Sequence, residues 1–475
     1  MMIVEFLNAI DAILWGPPLL IGLLGTGLYL TVISKFWQVR HFKDAIKYCF
    51  FKKSSNEISS ISKQAVSPYK AACVAIAGSI GAGNIGGVAS AIALGGPGAL
   101  FWMWMTAIVG MMTKMTEVTL ATYYRKTDPS GEHVGGPLFY MEKGLGSKFK
   151  FWWIFAIVFG CGLIMQLILA PEAFTVGESL QELTGIRAVY CSVFFCIMCW
   201  VVILGGLKRV LDFASFMMPF MAILYIVFGL YVILTNIANV PAAFALIIKS
   251  AFTPVAATGG FAGTTIMLCA RTGIARGLFS NEAGWGTSPM VHATADQNHP
   301  VEQGMWGIME VFIDTLIICT ITGLVIVITG EWNTGEAGAT LTTRAFAHSI
   351  GKFAPYFISV TLFLFCWTTV TGWFTYFKGI IEYAFKNKPK LKKFFVKFLE
   401  ITTPAYGLMI AIMIDIWEVD LANAWLIVDI SSALPTFINL IVLVLLSKKF
   451  IAIVKDYEGP RKLWGLTEYD KVKVD

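Results

Sequence analysis

The 475-residue sequence is short of charge: 14% of its residues are Asp, Glu, Lys or Arg, while 57% are hydrophobic. With a mean hydropathy of +0.71, this balance excludes an ordinary soluble domain and makes the chain a polytopic membrane protein. Histidine is scarce, at five residues, and none stands at metal-ligand spacing from another. No Gly-rich loop ending in Lys-Ser or Lys-Thr follows a strand, so ATP hydrolysis is not encoded. Nine cysteines are scattered singly. The one close pair, Cys196 and Cys199, lies inside an apolar run, where thiols behave as small hydrophobes, and no disulfide is expected. The start, "MMIVEFLNAIDAILWGPPLL", lacks a basic leader, so the first apolar run is expected to be retained. The segments between apolar runs are too short for a soluble domain; one of them, 386–400, reads as a basic amphipathic surface helix. Function must lie within the membrane.

What is present is a series of long apolar runs. A membrane helix needs roughly 20 apolar residues, and on that rule spans fall near 12–34, 71–93, 98–122, 151–175, 188–206, 210–234, 252–275, 304–329, 354–380, 401–416 and 422–447. The 36 Lys and Arg residues test these eleven placements, because basic residues gather on the cytoplasmic side. Arg187, Lys249, Arg344 and Lys352 fall on one side, Lys114 falls within a span, and the remaining 31 fall on the other. The expectation is a multi-pass protein of the cell membrane, N-terminus outside and C-terminus cytoplasmic, with a tail over 451–475. The formal charge of +6 then belongs to cytoplasmic loops and calls for no nucleic-acid partner.

Two runs are interrupted. Residues 77–87 read "AGSIGAGNIGG", with five glycines, and 254–265 read "PVAATGGFAGTT". Free peptide groups in hydrocarbon cost several kcal/mol each, so a broken helix survives only where protein, water or a ligand satisfies them. Glycines can instead mark close helix packing. Two interruptions five spans apart favour a transporter built from inverted five-helix repeats, over 71–234 and 252–447, with 12–34 as an extra helix. Gly78, Ser79, Gly81, Gly83 and Asn84 in the first segment, and Thr258, Gly260 and Phe261 in the second, are therefore candidate substrate contacts through backbone dipoles and small polar groups.

The stretches "GNIGGVASAI" (83–92), "GGPGALFWMWMTAIVG" (95–110), "GGPLFYMEKGLG" (135–146) and "ARGLFSNEAGWGTSPM" (275–290) resemble the alanine or glycine:cation symporter family, from about Pro68 to the last span. The resemblance implies an all-α, LeuT-type fold and sodium-coupled uptake of alanine or glycine by alternating access, with no cofactor beyond the co-transported ion. "IGAGNI" (80–85) is also similar to the first-helix motif of the neurotransmitter:sodium symporters. Carried across, this similarity implies that the Ala77 and Ile80 carbonyls face one sodium ion. Phe365, Thr368 and Thr369 in the ninth span would complete that position, and the Ser79 carbonyl with the Asn84 side chain would face another sodium. Oxygen ligands suit such a hard cation. The other reading of Thr368 and Thr369 is that intramembrane threonines bond their own helix backbone.

Gln166, inside the fourth span, either contacts substrate or bridges helices. Trp373 lies four residues after Thr369 on one helix face and either caps a small side-chain pocket or packs as an ordinary aromatic. Lys114 and Glu117, three apart, are placed to neutralise each other. Glu172, Glu310, Asp314 and Asp429 also fall in or near spans and remain unassigned. "SNEAGWGTSP" (280–289) reads either as an inner gate or as a packed loop. Proton-coupled symport is the nearest alternative, followed by an ion channel; the mid-span hydroxyls and amides do not form a catalytic set.

Overall fold

A computed structural model describes residues 6–7, 10, 13–51, 66–127, 131–169, 172–417 and 421–459, with the backbone alone at 167, 169 and 421–428. Of the segments expected above, residues 12, 170–171 and 460–475 lie outside the described residues. The main helices, in chain order, begin with α1 (Pro17–Ile33), α2 (Pro68–Ser79), α3 (Val88–Gly95) and α4 (Ala99–Tyr123). They continue with α5 (Trp152–Leu169), α6 (Glu172–Thr184), α7 (Ala188–Ile203), α8 (Gly206–Thr235), α9 (Val240–Phe252) and α10 (Ile266–Asn281). The last six are α11 (Pro300–Val311), α12 (Thr320–Ile328), α13 (Gly338–Ile350), α14 (Ala354–Ala384), α15 (Pro389–Asp415) and α16 (Leu421–Glu458). The one β-ribbon among the described residues is a two-residue pair, Lys126–Thr127 with His133–Val134. Among the described residues five helices are long and apolar enough to cross a membrane, six when the bent pair Pro68–Ser79 and Gly83–Gly95 counts as one.

Local chemistry sets several boundaries. Proline occupies the first turn of α2, α9, α11, α14 and α15, where its missing N–H costs nothing and its fixed φ suits a helix start. A π-helical stretch, Phe312–Cys319, joins α11 to α12. Buried in the middle of the bundle, α2 packs on α8 and α14, and α4 packs on α10 and α11. All nine cysteines are free thiols.

Three sequence expectations are corrected. The basic stretch 386–400 is not a separate surface helix, because α15 runs on without a break from Pro389 to Asp415. The last helix continues to Glu458, past the expected start of the tail at 451. Most consequential, residues 254–265 are not an interrupted membrane helix. They form a small hairpin in which Val255 and Thr264 exchange both backbone hydrogen bonds, at 3.1 and 2.8 Å, and Thr258 and Phe261 do the same at 3.1 and 2.9 Å. Gly259, at φ +56°, supplies the left-handed turn between them, so the Gly-Gly of "TGGF" is a two-residue hairpin turn between Thr258 and Phe261. The seventh run becomes helical only at Ile266, and Thr265 caps it by accepting from the Leu268 N–H at 3.2 Å.

The hairpin holds Thr258, Gly260 and Phe261 away from the first interruption. The Gly260 N–H donates to the Asn333 carbonyl at 2.6 Å, and Phe261 meets Trp332 edge-on at 5.6 Å. The Phe261 ring lies against Gly96, just past the end of α3. At 1.5 Å of rise per residue, Gly96 is ~18 Å along the helix from Asn84, so the three residues cap one end of the bundle.

Candidate functional site

The first interruption is real and is bent by 49°. α2 ends at Ser79, Ile80 adopts an extended ψ of 99°, and the chain re-enters helix through a π-helical turn at Gly83–Gly87. Asn84, fully buried, shapes this joint. Its Oδ1 accepts the Gly81 N–H at 2.9 Å, while its amide N–H groups donate to Ser280 Oγ at 2.9 Å and Asp314 Oδ1 at 2.6 Å. The Asn84 carbonyl accepts from Thr322 Oγ1 at 2.8 Å. The glycines are required by space: a Cβ on Gly78 would lie 2.4 Å from Tyr376 Oη, and one on Gly81 2.8 Å from Thr369 Oγ1. Gly83 faces Phe279 less tightly, at 3.4 Å.

Thr369 projects from α14 into the joint. Its Oγ1 lies 2.9 Å from the Phe365 carbonyl, 3.0 Å from that of Ile80 and 3.3 Å from that of Ala77. Four of the residues expected at one ion position are thus together. Thr368 is not aimed at the same point: its hydroxyl bonds its own helix at Phe365, 2.9 Å, and Leu364, 3.2 Å, on the side of Met221 of α8. Ser79 Oγ likewise turns back to the Ala75 and Ile76 carbonyls, at 3.2 and 3.1 Å. Gln166 is buried, and among the described residues neither its amide nitrogen nor its amide oxygen has a hydrogen-bond partner.

A second interruption lies at the other end of α10, and sequence reasoning passed over its key residue. Glu282 ends the helix at φ +53°, followed by Gly284 at +95° and Gly286 at +80°. A non-glycine residue in the left-handed region is uncommon, and here side-chain bonds hold it. Glu282 accepts from Trp373 Nε1 at 3.1 Å and from Thr287 Oγ1. Trp373 Nε1 also lies 3.1 Å from the Gly78 carbonyl, so this indole ties the two interruptions together. Beneath them, Lys114 Nζ bonds Ser288 Oγ at 2.8 Å and Glu310 at 3.1 Å, and His292 Nε2 meets Glu310 at 3.1 Å. Glu117 pairs not with Lys114 but with the Gly284 N–H, at 3.1 Å, and with Asn439. The signal in the sequence was the acid inside "NEAGWG", two residues before alternating glycines.

A cleft of about 550 Å³ leads toward Ala82 and Gly83 between α3, α6, α10 and α13. It opens at the end of the bundle where α3 finishes, with Glu178 and Glu182 exposed along one wall. Arg276 and Asp429, 3.8 Å apart, also line it. The geometry is therefore a buried oxygen-rich joint, two interrupted helices tied together and a polar approach from one end.

Comparisons with known proteins agree with this architecture. The family model described as the sodium:alanine symporter family matches residues 1–470. An uncharacterized transporter of Haemophilus influenzae is 40% identical, over 100% of each chain. A protein named sodium/alanine symporter AgcS, from Methanococcus maripaludis, is 35% identical over 97% of this chain and 98% of its own. Among solved structures, MhsT in complex with L-phenylalanine superposes with a TM-score of 0.56 at 13% identity, covering 86% of this chain and 92% of that one. That likeness establishes a shared LeuT-type fold.

The Asn84 network is testable by stability. Asn84→Ala leaves the buried Asp314 carboxylate short of a donor and the Gly81 N–H short of an acceptor, a loss of about 2–3 kcal/mol. It should lower the unfolding midpoint of the purified protein in detergent. Because both residues belong to one network, Asn84→Ala and Asp314→Ala combined should cost clearly less than the sum of the two. Strict additivity would show that the two residues act separately.

Proposed function

We infer the activity from one premise: the chain belongs to the sodium:alanine symporter family, and it is a secondary active transporter. In this reading its cargo is alanine together with sodium, bound between the two interruptions and exposed to the two sides of the membrane in turn. Glycine, which lacks only a methyl group, is a second substrate; a hydrophobic pocket discriminates one such group by only ~1–3 kcal/mol.

The observation that carries the reading is the surroundings of Thr369. A single hydroxyl proton can serve one acceptor, yet three carbonyl oxygens, from Phe365, Ile80 and Ala77, stand 2.9 to 3.3 Å from Oγ1. Acceptors that crowd one donor repel one another, and a sodium ion among them turns that repulsion into ligation by hard oxygen. Because these oxygens belong to α2, the break and α14, an ion there joins elements that otherwise separate. Ion and substrate binding are then coupled reciprocally.

For alanine, the N–H groups freed at the interruptions and the bound ion suit a carboxylate. Gln166, whose amide is buried and unpartnered among the described residues, supplies a polar contact, and Trp373 bounds the side-chain pocket. Gly78, Ser79, Gly81 and Gly83 contribute backbone and close approach. The break after α10 takes the place that the sequence reading gave to 254–265 as counterpart of the first, within inverted repeats over 71–234 and 252–447. The positive-inside rule sets the basic loops and C-terminus in the cytoplasm and the N-terminus outside, in the cell membrane. The 550 Å³ cleft is then the outward approach. An inward-negative potential adds ~2.3 kcal/mol per net charge per 100 mV.

Proteoliposomes test this directly. An inward sodium gradient should accumulate labelled alanine and a potassium gradient should not; equal uptake in sodium-free buffer on a proton gradient would contradict sodium coupling. Thr369→Val removes the oxygen and keeps the shape, and should raise the sodium concentration for half-maximal uptake about tenfold, the worth of one oxygen contact. An unchanged requirement would make Thr369 a packing residue. Trp373→Ala should admit valine and leucine as competitors of labelled alanine, and an unchanged order of competitors would place the pocket wall elsewhere.

A further inference from the structure

Behind Thr369, on the side away from the joint, lies an internal cavity of about 30 Å³ between α6, α7, α14 and α15. Thr369 and Trp373 form one wall, Glu172 another, and Thr403, Cys196 and Cys199 the rest. Glu172 is 8% exposed; its own backbone N–H bonds the carboxylate, and among the described residues its Oε2 has no hydrogen-bond partner. Among the described residues that line the cavity it is the single group able to carry a full charge, and nothing in the transport reading above uses it. We propose that Glu172, with the hydroxyl of Thr403, forms a sodium position separate from the carbonyl cluster at the helix break.

A buried carboxylate without a partner is among the most costly groups a protein can hold, so such groups are paired, bound to a cation or neutralised. The facing side chains offer no pair: α7 presents the thiols of Cys196 and Cys199, α14 presents Thr369 and Trp373, and α15 presents Thr403. The cavity, at about 30 Å³, has room for one water-sized body. An ion of that size would meet the carboxylate and the Thr403 hydroxyl oxygen, the donors that hard cations take. The thiols are poor partners for sodium and act as wall. Thr403 Oγ1 donates to the Leu399 carbonyl at 2.8 Å, which leaves its lone pairs for a cation. Next to it Pro404, inside α15, also lines the cavity.

Thr369 faces both places, its hydroxyl among the break carbonyls and its body against the cavity. The two sodium positions are therefore neighbours through one side chain, and filling one changes the field at the other. Thr175 and Glu178, further along α6, line the outward cleft, so the same helix runs from the cavity toward water.

This inference rests on the sodium-coupled reading and is tested alongside it. In proteoliposomes the charge moved per labelled alanine, read from the reversal potential, gives the ion count, and the sodium dependence of uptake gives its cooperativity. Glu172→Gln, which keeps the shape and removes the charge, should lower the count by one sodium and abolish cooperativity while alanine is still accumulated. Thr403→Val, which leaves the carboxylate in place, should raise the half-saturating sodium several-fold, and it carries the test if Glu172→Gln fails to fold. An unchanged count and cooperativity in Glu172→Gln would overturn the site. So would an unchanged count with a lost response to an imposed pH gradient, which would make the occupant a proton. In either case wild-type accumulation on a sodium gradient leaves the transport reading standing; its absence defeats the transport reading itself.

Discussion

The structure depends on a helix that stops in the middle of an apolar bundle. Beyond Ile80, whose N–H still bonds the Ile76 carbonyl, the peptide groups up to Gly83 lose their i to i−4 partners inside an apolar bundle, and each one left unmet costs several kcal/mol. The surrounding architecture answers that demand. Asn84 reaches back to the Gly81 N–H, Thr322 comes from α12 to the Asn84 carbonyl, and Thr342 comes from α13 to that of Ile85, at 3.0 Å. The side-chain room that these approaches need explains the glycines: Tyr376 and Thr369 stand where the Cβ atoms of Gly78 and Gly81 would be.

The two interruptions differ in how completely they are satisfied. Around Glu282 the buried charges are closed into a network: Lys114 with Glu310 and Ser288, His292 with Glu310 and Gln303, Glu117 with Gly284 and Asn439. Such a network gives rigidity and a unique arrangement, and removing one member leaves a buried charge exposed to that cost. At the first interruption one hydroxyl proton is shared among three carbonyls, and among the described residues Glu172, in the cavity that Thr369 also lines, keeps a carboxylate oxygen with no partner. In our reading the satisfied break is the frame and the unsatisfied one is where cargo binds. Trp373, bonded to both Gly78 and Glu282, lets a change at one reach the other.

Much of this was legible in the sequence, for identifiable reasons. The apolar runs are a strong signal because hydrocarbon thickness fixes helix length. "AGSIGAGNIGG" announced its own break, since five glycines within an apolar run have few other uses. The spacing of Phe365, Thr369 and Trp373 on one helix gave their common face. The hairpin at 254–265 was misread because Gly and Thr in an apolar setting serve a two-residue turn as well as an unwound helix, and only the backbone pairing of Val255 with Thr264, nine residues on, decides between them. Glu282 escaped because a single acid before glycines looks like a loop; only the folded chain brings Trp373, ninety-one residues away, to its carboxylate. Thr368 shows the limit of adjacency: one residue from Thr369, it points a third of a turn around the helix, toward α8.

The central claim is that one ion holds together the oxygen atoms of the break and thereby completes the substrate site. It is tested most directly by calorimetric titration of the purified wild-type protein with alanine, in sodium and then in potassium at equal ionic strength, followed by sodium titration with and without alanine. The account predicts that replacing potassium by sodium tightens alanine binding by at least tenfold, and that alanine tightens sodium binding by the same factor, as linkage requires. Equal alanine affinity in the two salts would contradict it.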